Sequence, residues 1–485
     1  MKTIQAFFIS QDVDMFYAPY DTGCVPKTWN ISDDLGQIEY IFSDKTGTLT
    51  QNVMEFQKCS IYGVTYGEGI TEAQRGAAKR AGVKDALDPA EQAEKIAMLK
   101  EDMLQKMSRA FENHWQQPDK LTLISSQLIQ DLSDASSSQR DHCIAFFRAL
   151  AICHSVLSDK PEPRSQPYLL NYKAESPDEA ALVAAARDVG FPFVAKTNNS
   201  IDIEVMGQPE RYIPLKMLEF NSTRKRMSVV VRNPEGRIVL YTKGADSVIY
   251  ARLAENHDPE LKAKTLKDME EFANGGLRTL CIAYRYLKEE EYADWSKMYD
   301  AAASAIKDRD EAIDQASEQI EHSLHILGAT ALEDKLQEGV PESIEQLHKA
   351  GIKLWILTGD KVQTAIEIGY SCNLLKQDMD VMIFSATSRE ETRSKIEAGL
   401  SKLASVIGPP KWDSKSRGFI PGAQTSFAVV IDGETLRYAL EDDLKPLFLN
   451  LATQCETVVC CRVSPAQKAL TVKLVSPTVM CIHIP

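Results

Sequence analysis

Apolar runs recur along the chain and end alike, on a short turn bearing acidic or hydroxyl side chains. Ile38 to Ser43 stops at Asp44-Lys45-Thr46-Gly47-Thr48-Leu49-Thr50, and Ile352 to Leu357 at Thr358-Gly359-Asp360. Phe427 to Ile431 closes on Asp432-Gly433, and Thr457 to Val463 on Ser464-Pro465. Such runs predict buried strands. Helical periodicity lies between them, at Val340 to Ala350 and Val362 to Leu375. Strands alternating with helices predict a parallel α/β sheet, with functional groups gathered beyond the carboxyl ends of its strands. The first strand belongs with the last three. Between residues 56 and 325 the texture changes to β-branched alternation, at Arg226 to Val231 and Ile238 to Thr242, beside long polar helices. This stretch reads as a domain inserted into a loop of the first. Within it, Ile96, Leu99, Met103, Met107 and Phe111 stand at helical spacing and predict helix packing. Asp131 to Gln139 reads as an exposed linker, and the alternating charges of residues 286–321 as a solvated helical face.

A length of 485 residues suits two to four domains, and 44% hydrophobic with 26% charged residues is globular composition. The formal net charge of −14 leaves no general polycation to grip phosphate backbones, which argues against nucleic acid as a partner. The ten cysteines include no C-x-x-C pair, and Cys460-Cys461 lies in an apolar run; a reducing compartment and no structural zinc are expected. No run approaches the roughly 20 apolar residues of a membrane span. Ile144 to Cys153 is short and broken by Arg148, and the first residues lack a secretory signal, so the chain as given is expected to be soluble.

The heptapeptide from Asp44 to Thr50 carries the strongest chemical signal, since a specified heptapeptide arises by chance in such a chain with probability of about 10⁻⁶. A carboxylate delivered by a strand into a glycine-containing turn suits a nucleophile attacking a phosphoryl group, with Gly47 permitting close backbone approach. An acyl phosphate at Asp44 follows. Thr358 and Gly359 offer a hydroxyl and a backbone N–H to the same group, and Lys468 offers charge from a helix capped at Ser464. Singly, a Thr-Gly is more often an ordinary turn and a helical lysine more often solvated; their order after Asp44 is what favours the functional reading.

In these features the sequence resembles the P-type ATPases, and within them the type IV, phospholipid-flipping group. The narrower likeness rests on Gln37-Ile38-Glu39-Tyr40-Ile41-Phe42-Ser43 before Asp44 and Gln51-Asn52-Val53-Met54-Glu55-Phe56 after it. It rests also on Glu175-Ser176-Pro177-Asp178-Glu179-Ala180-Ala181-Leu182-Val183 and Phe220-Asn221-Ser222-Thr223-Arg224-Lys225-Arg226-Met227-Ser228-Val229. The resemblance runs from Met1 to about residue 474. It implies a haloacid-dehalogenase-like, Rossmannoid parallel-sheet phosphorylation domain with a large inserted α+β nucleotide-binding domain. The expected divisions are a stalk-like segment (1–35), the phosphorylation domain (36–55 and 326–475), the nucleotide-binding insert (56–325) and an atypical tail (476–485).

The resemblance further implies that Asp44 is phosphorylated by ATP, and that Asp44 and Thr46 help hold Mg²⁺. Lys45, Thr358, Gly359, Asp360, Arg462 and Lys468 would frame the phosphate end. Glu179, Phe220, Ser222, Lys225, Lys243, Arg278 and Thr279 would form the nucleotide end. An aromatic face can stack on adenine and the cations can meet ribose or phosphate; alternatively Phe220 is core, Lys243 a turn lysine, and Arg278 a partner of the helix from Lys267 to Phe272. Relatives carry a Gly-Asp-Gly-x-Asn-Asp segment after the Lys468 helix that completes the magnesium site. This sequence has none, and it departs from the pattern at about Ser476, which points to truncation, mis-splicing or a frame change. The expected function is the phosphoenzyme-forming core of a phospholipid-translocating ATPase, facing the cytosol from a secretory-pathway or plasma membrane, with a small transmembrane accessory subunit as a possible partner. The alternatives are a soluble phosphatase or phosphotransferase of the same fold, disfavoured by Thr46 where an acidic proton-transfer residue usually stands, and an inactive ATP-binding fragment.

Overall fold

A computed structural model describes residues 2–27, 36–82, 89–159, 168–407, 411–413, 418–420, 427–475 and 481–484. The chain divides into two compact units, Met1–Leu49 with Glu338–Pro485, and Thr50–Gln337.

The discontinuous unit is built on a six-stranded sheet. Its order is Asp380–Phe384, Phe427–Asp432, Thr457–Cys461, Lys353–Leu357, Tyr40–Asp44, Cys481–Ile484, and every neighbouring pair is parallel. Phe42, Trp355, Val429, Val458 and Cys460 pack in one core with Phe448 and Leu451 from the helix Lys445–Gln454. The sequence-expected strands are therefore neighbours. Two strands join them that the apolar pattern did not single out, Asp380–Phe384 at one edge and, from the tail, Cys481–Ile484 at the other.

The continuous unit carries a nine-stranded antiparallel sheet, ordered Val64–Tyr66, Thr50–Ile61, His325–Leu336, Arg278–Leu287, Ile238–Gly244, Arg226–Arg232, Gln208–Leu218, Ile201–Val205, Phe193–Lys196. Alternate residues of a strand face opposite sides, and here both sides are buried. Val229, Val231, Val239 and Tyr241 meet the helices Pro89–Ala110, Ser126–Ser133, Ser138–Ile152 and Pro177–Val189. Val230, Ile238 and Leu240 join Met269 and Trp295 beneath the helices Pro259–Asn274 and Glu289–Ala303. Met103 and Met107 are core, with Ile96, Leu99 and Phe111 packed against them.

Some expectations need correction. The insert extends outward past 56 and 325, because Thr50–Ile61 and His325–Leu336 pair with each other inside the antiparallel sheet. Asp131 to Gln139 is no linker through its length: Leu132 is buried in the helix Ser126–Ser133, Asp131 accepts the Tyr66 hydroxyl at 2.6 Å, and the next helix starts at Ser138. The solvated-face reading of residues 286–321 fails at Glu321, which is wholly buried.

The strand His325–Leu336 also holds a carboxyl set against its own charge. Glu333 is buried and accepts the Glu72 N–H at 2.6 Å. Burial pushes its pKa up to about 7; the Glu72 N–H opposes the rise, while the Glu72 and Glu55 carboxylates and Arg75 exert smaller effects. Between the ordinary carboxylate pKa and about 7 the folded chain retains a proton that the unfolded chain has lost, so this group's contribution to stability falls as pH rises through that window. Glu333→Gln is expected to remove the fall, gaining about 2–3 kcal/mol relative to wild type between pH 5 and pH 8. Denaturant unfolding at both pH values checks this; an equal wild-type-to-variant difference at each would refute it.

Candidate functional site

At the carboxyl ends of the parallel strands, Asp44 pairs in register with Leu357, Leu357 with Cys460, and Ile431 with Cys460. Parallel register puts the turns that follow these strands at one end of the sheet. The turn after Asp44 reverses at Gly47, where φ is 79°, a conformation glycine adopts without a Cβ clash. Asp44 Oδ1 accepts the Lys45 N–H at 2.7 Å and Oδ2 accepts from the Lys468 ammonium. Lys468 lies in the first turns of the helix Pro465–Val475, whose start is fixed reciprocally: the Ser464 N–H donates to Gln467 Oε1 at 3.0 Å and the Gln467 N–H to Ser464 Oγ at 3.4 Å.

Lys45 points inward. It is 5% exposed, and its ammonium lies 2.6 Å from Asp360 Oδ2. The turns of Thr358 to Asp360 and Arg462 to Val463 are zipped by backbone bonds, from Arg462 N–H to Asp360 O at 3.0 Å and from Val463 N–H to Thr358 O at 3.2 Å. Thr358 Oγ1 accepts the Asp360 N–H at 3.1 Å. Arg462 takes a left-handed φ of 53° to do this. Gly433 lets the turn after Phe427–Asp432 approach, since a Cβ there would meet Arg462 O at 2.3 Å. Asp44, Lys45, Thr358, Asp360, Arg462 and Lys468 are thereby joined by direct bonds, while Thr46 and Gly359 sit in the same turns. Sequence reading missed Gln467, whose side-chain amide donates to Gly433 O at 2.6 Å.

The second group of predicted residues lies at one end of the antiparallel sheet. Lys243 faces Met227 and Ile282 in register, the loop after Gln208–Leu218 carries Phe220, Ser222 and Lys225, and Arg278 and Thr279 begin the strand Arg278–Leu287. Phe220 is 63% exposed, so it is not core; Ser222 and Lys225 are exposed beside it. Lys243 is buried and its Nζ donates to Glu179 Oε1 at 2.5 Å, which excludes a plain turn lysine. Burial favours the neutral form of Glu179, but Lys243 and the Ser155 hydrogen bonds prevail and hold its carboxyl below the usual range.

Arg278 does not pair with the helix Pro259–Asn274. Its guanidinium lies 3.6 Å from Asp178 and 3.7 Å from Asp334. Burial raises the Asp178 pKa against the pull of Arg278, with Asp334 adding to the rise. Adjacent residues of one helix, Asp178 and Glu179, thus meet Arg278 and Lys243. Ser155 and Asp334 escaped sequence reading; Asp178 was visible only inside the motif around Pro177. Behind Ser155, burial and Lys243 drive His154 down to about 3. It is neutral, with Nε2–H donating to Ala151 O at 2.9 Å and Nδ1 accepting the Val156 N–H at 3.1 Å.

Among the described residues, no helix is long and apolar enough to cross a membrane. Residues 142–339 match the family described as P-type ATPase, cytoplasmic domain N. The chain is 45% identical over 485 residues to phospholipid-transporting ATPase DNF1 of Chaetomium thermophilum, covering 98% of this chain and 31% of that protein. It is 48% identical over 489 residues to phospholipid-transporting ATPase dnf2 of Schizosaccharomyces pombe, with 98% and 34% covered, and 43% identical over 496 residues to phospholipid-transporting ATPase 10 of Arabidopsis thaliana, with 98% and 39% covered. The chain spans about a third of the length of these relatives. With a parallel sheet that ends on the Asp44 turn and an antiparallel unit inserted immediately after it, the chain is similar to P-type ATPase cytoplasmic domain N over residues 142–339 and to phospholipid-transporting ATPases over nearly all of its own length.

Proposed function

We propose that this chain supplies the ATP-binding and phosphoryl-accepting parts of a membrane ATPase that moves phospholipid, with Asp44 as the acceptor of the γ-phosphoryl group. The observation that carries the reading is the environment of Asp44: a carboxylate at a strand end, held by Lys468 and the Lys45 N–H beside the Thr358 to Asp360 turn. A carboxylate oxygen attacks phosphorus and the bond to the departing ADP oxygen breaks; Lys468 and the Thr358 turn offset charge on the transferred group. Asp44 and Thr46 would hold Mg²⁺, a hard ion that takes oxygen donors and commonly uses one or two from protein with the rest from phosphate and water. Bound there, it would neutralise phosphoryl oxygens.

Thr46, two residues after Asp44, cannot serve as the general acid or base of a phosphatase, so the aspartyl phosphate persists long enough for a conformational step. Glu179, Phe220, Ser222, Lys225, Lys243, Arg278 and Thr279 form the nucleotide site, with Phe220 stacking on the base. Phospholipid is the transported substrate, supported by the likeness to phospholipid-transporting relatives; the domains face the cytosol, supported by the match to a cytoplasmic domain; a small transmembrane subunit is a further partner, on the family resemblance of the sequence alone. The 485-residue polypeptide by itself is expected to bind ATP and release little phosphate, because its sequence lacks the Gly-Asp-Gly-x-Asn-Asp carboxylates.

ATP titrated by NMR into the isolated Thr50–Gln337 unit tests the nucleotide assignment. One stack and a few charges should give a dissociation constant on the order of 0.1–1 mM. Absence of shifts at Phe220 and Lys243 at several times that concentration would sink it.

A further inference from the structure

The loop that carries Phe220, Ser222 and Lys225 rests on a residue distant in sequence. Glu321 follows the helix Arg309–Glu318, is 0% exposed, and accepts from Arg224 Nη2 at 2.5 Å, Arg226 Nε at 2.7 Å and Ser228 Oγ at 2.5 Å. Both arginines are buried, and both tie the loop down. Arg224 Nη1 donates to the carbonyl of Glu219, the residue before Phe220, at 3.0 Å. Arg226 Nη1 donates to Arg224 O at 3.1 Å and its Nη2 to Glu318 Oε1 at 2.7 Å. Across the turn, Asn221 Oδ1 accepts the Arg224 N–H at 2.6 Å and Asn221 O the Lys225 N–H at 2.8 Å.

Burying a carboxylate between two guanidinium groups is a weak way to gain stability, since apolar replacements of similar volume are often as good. What such a cluster supplies here is position. The Phe220 ring is mostly exposed, so the backbone of its loop sets its orientation more than packing does. That backbone is bonded on both sides of the ring, at Glu219 and at Arg224, to arginines that share one carboxylate.

We propose that Glu321 is a positioning residue for nucleotide binding: it touches no nucleotide, but through Arg224 and Arg226 it fixes the loop that presents Phe220, Ser222 and Lys225. This rests on the reading of Phe220 as the base-stacking residue. Sequence alone gave no sign of it, because Glu321 lies at the end of a stretch of alternating charges that otherwise reads as solvated.

The test is a double-variant cycle on ATP affinity of the full chain, with wild type, Glu321→Gln, Phe220→Ala and both together. Glu321→Gln should weaken ATP binding about tenfold, and the double variant should be little weaker than Phe220→Ala alone, because residues acting through one contact are not additive. A merely structural role would move the unfolding midpoint and leave the affinity of the folded protein unchanged. Unchanged affinity in Glu321→Gln, or losses that multiply in the double variant, would overturn the proposal. If Phe220→Ala leaves ATP affinity intact, the stacking reading falls, and the positioning role with it. Should Glu321→Gln not fold, Arg224→Gln removes the guanidinium that joins Glu219 O to Glu321 while Arg226 stays on Glu321, and it is judged by the same outcomes.

Discussion

Asp44→Asn, introduced into the native protein, is expected to reduce the acid-stable, hydroxylamine-sensitive phosphoprotein to background while changing ATP affinity by no more than about twofold. The amide keeps the shape of the carboxylate and its Oδ1 can still accept the Lys45 N–H. It lacks the negative oxygen that attacks phosphorus. The residues assigned to the nucleotide belong to Thr50–Gln337, a separate compact unit whose own sheet and core do not depend on residue 44. Incubation with ATP labelled on the γ-phosphate, acid quenching and hydroxylamine treatment read the result. Label that persists in the variant would mean that another residue is the nucleophile.

Lys468→Met is expected to slow phosphorylation by about a hundredfold or more, since losing one preorganised charge-stabilising group commonly costs about 3 kcal/mol of transition-state stabilisation. Lys468 bonds Asp44 directly, from a helix whose first turn is fixed by Ser464, Pro465 and Gln467. The ammonium is therefore in place before the phosphoryl group arrives. Methionine retains the length of the side chain and removes its charge. Rapid-quench phosphorylation at saturating ATP separates the rate from binding, and a fall of less than about tenfold would remove Lys468 from the chemistry.

The four expected strands of the parallel sheet could be read from sequence because they are buried on both sides and appear as apolar runs. Asp380–Phe384 was not singled out, since only four apolar residues follow Asp380, and as an edge strand it exposes Ile383. The serine-rich stretch near residue 135 misled for a physical reason: Ser and Asp side chains favour loops and helix starts alike, and here Ser137 Oγ accepts the Gln139 N–H at the head of a helix. Asp44 was legible in its heptapeptide, and Thr358 and Lys468 only by their order after it. Asp334, Ser155 and Glu321 were not, because their partnerships with Arg278, Glu179 and Arg226 arise from strand and helix neighbours far apart in the chain.

The pairing of Thr50 with Leu336 has a consequence for the order of folding. Tyr40–Asp44 must find Lys353–Leu357 across an intervening chain on the order of 300 residues, and closing so long a loop is entropically expensive. Once Thr50–Ile61 and His325–Leu336 are zipped, Leu49 and Glu338 are held a few residues' reach apart. The loop that remains is short, and the closure term falls by about 2–3 kcal/mol. An insert that folds first turns this remote strand pairing into a local one, so the parallel sheet assembles with the contact order of its own residues alone.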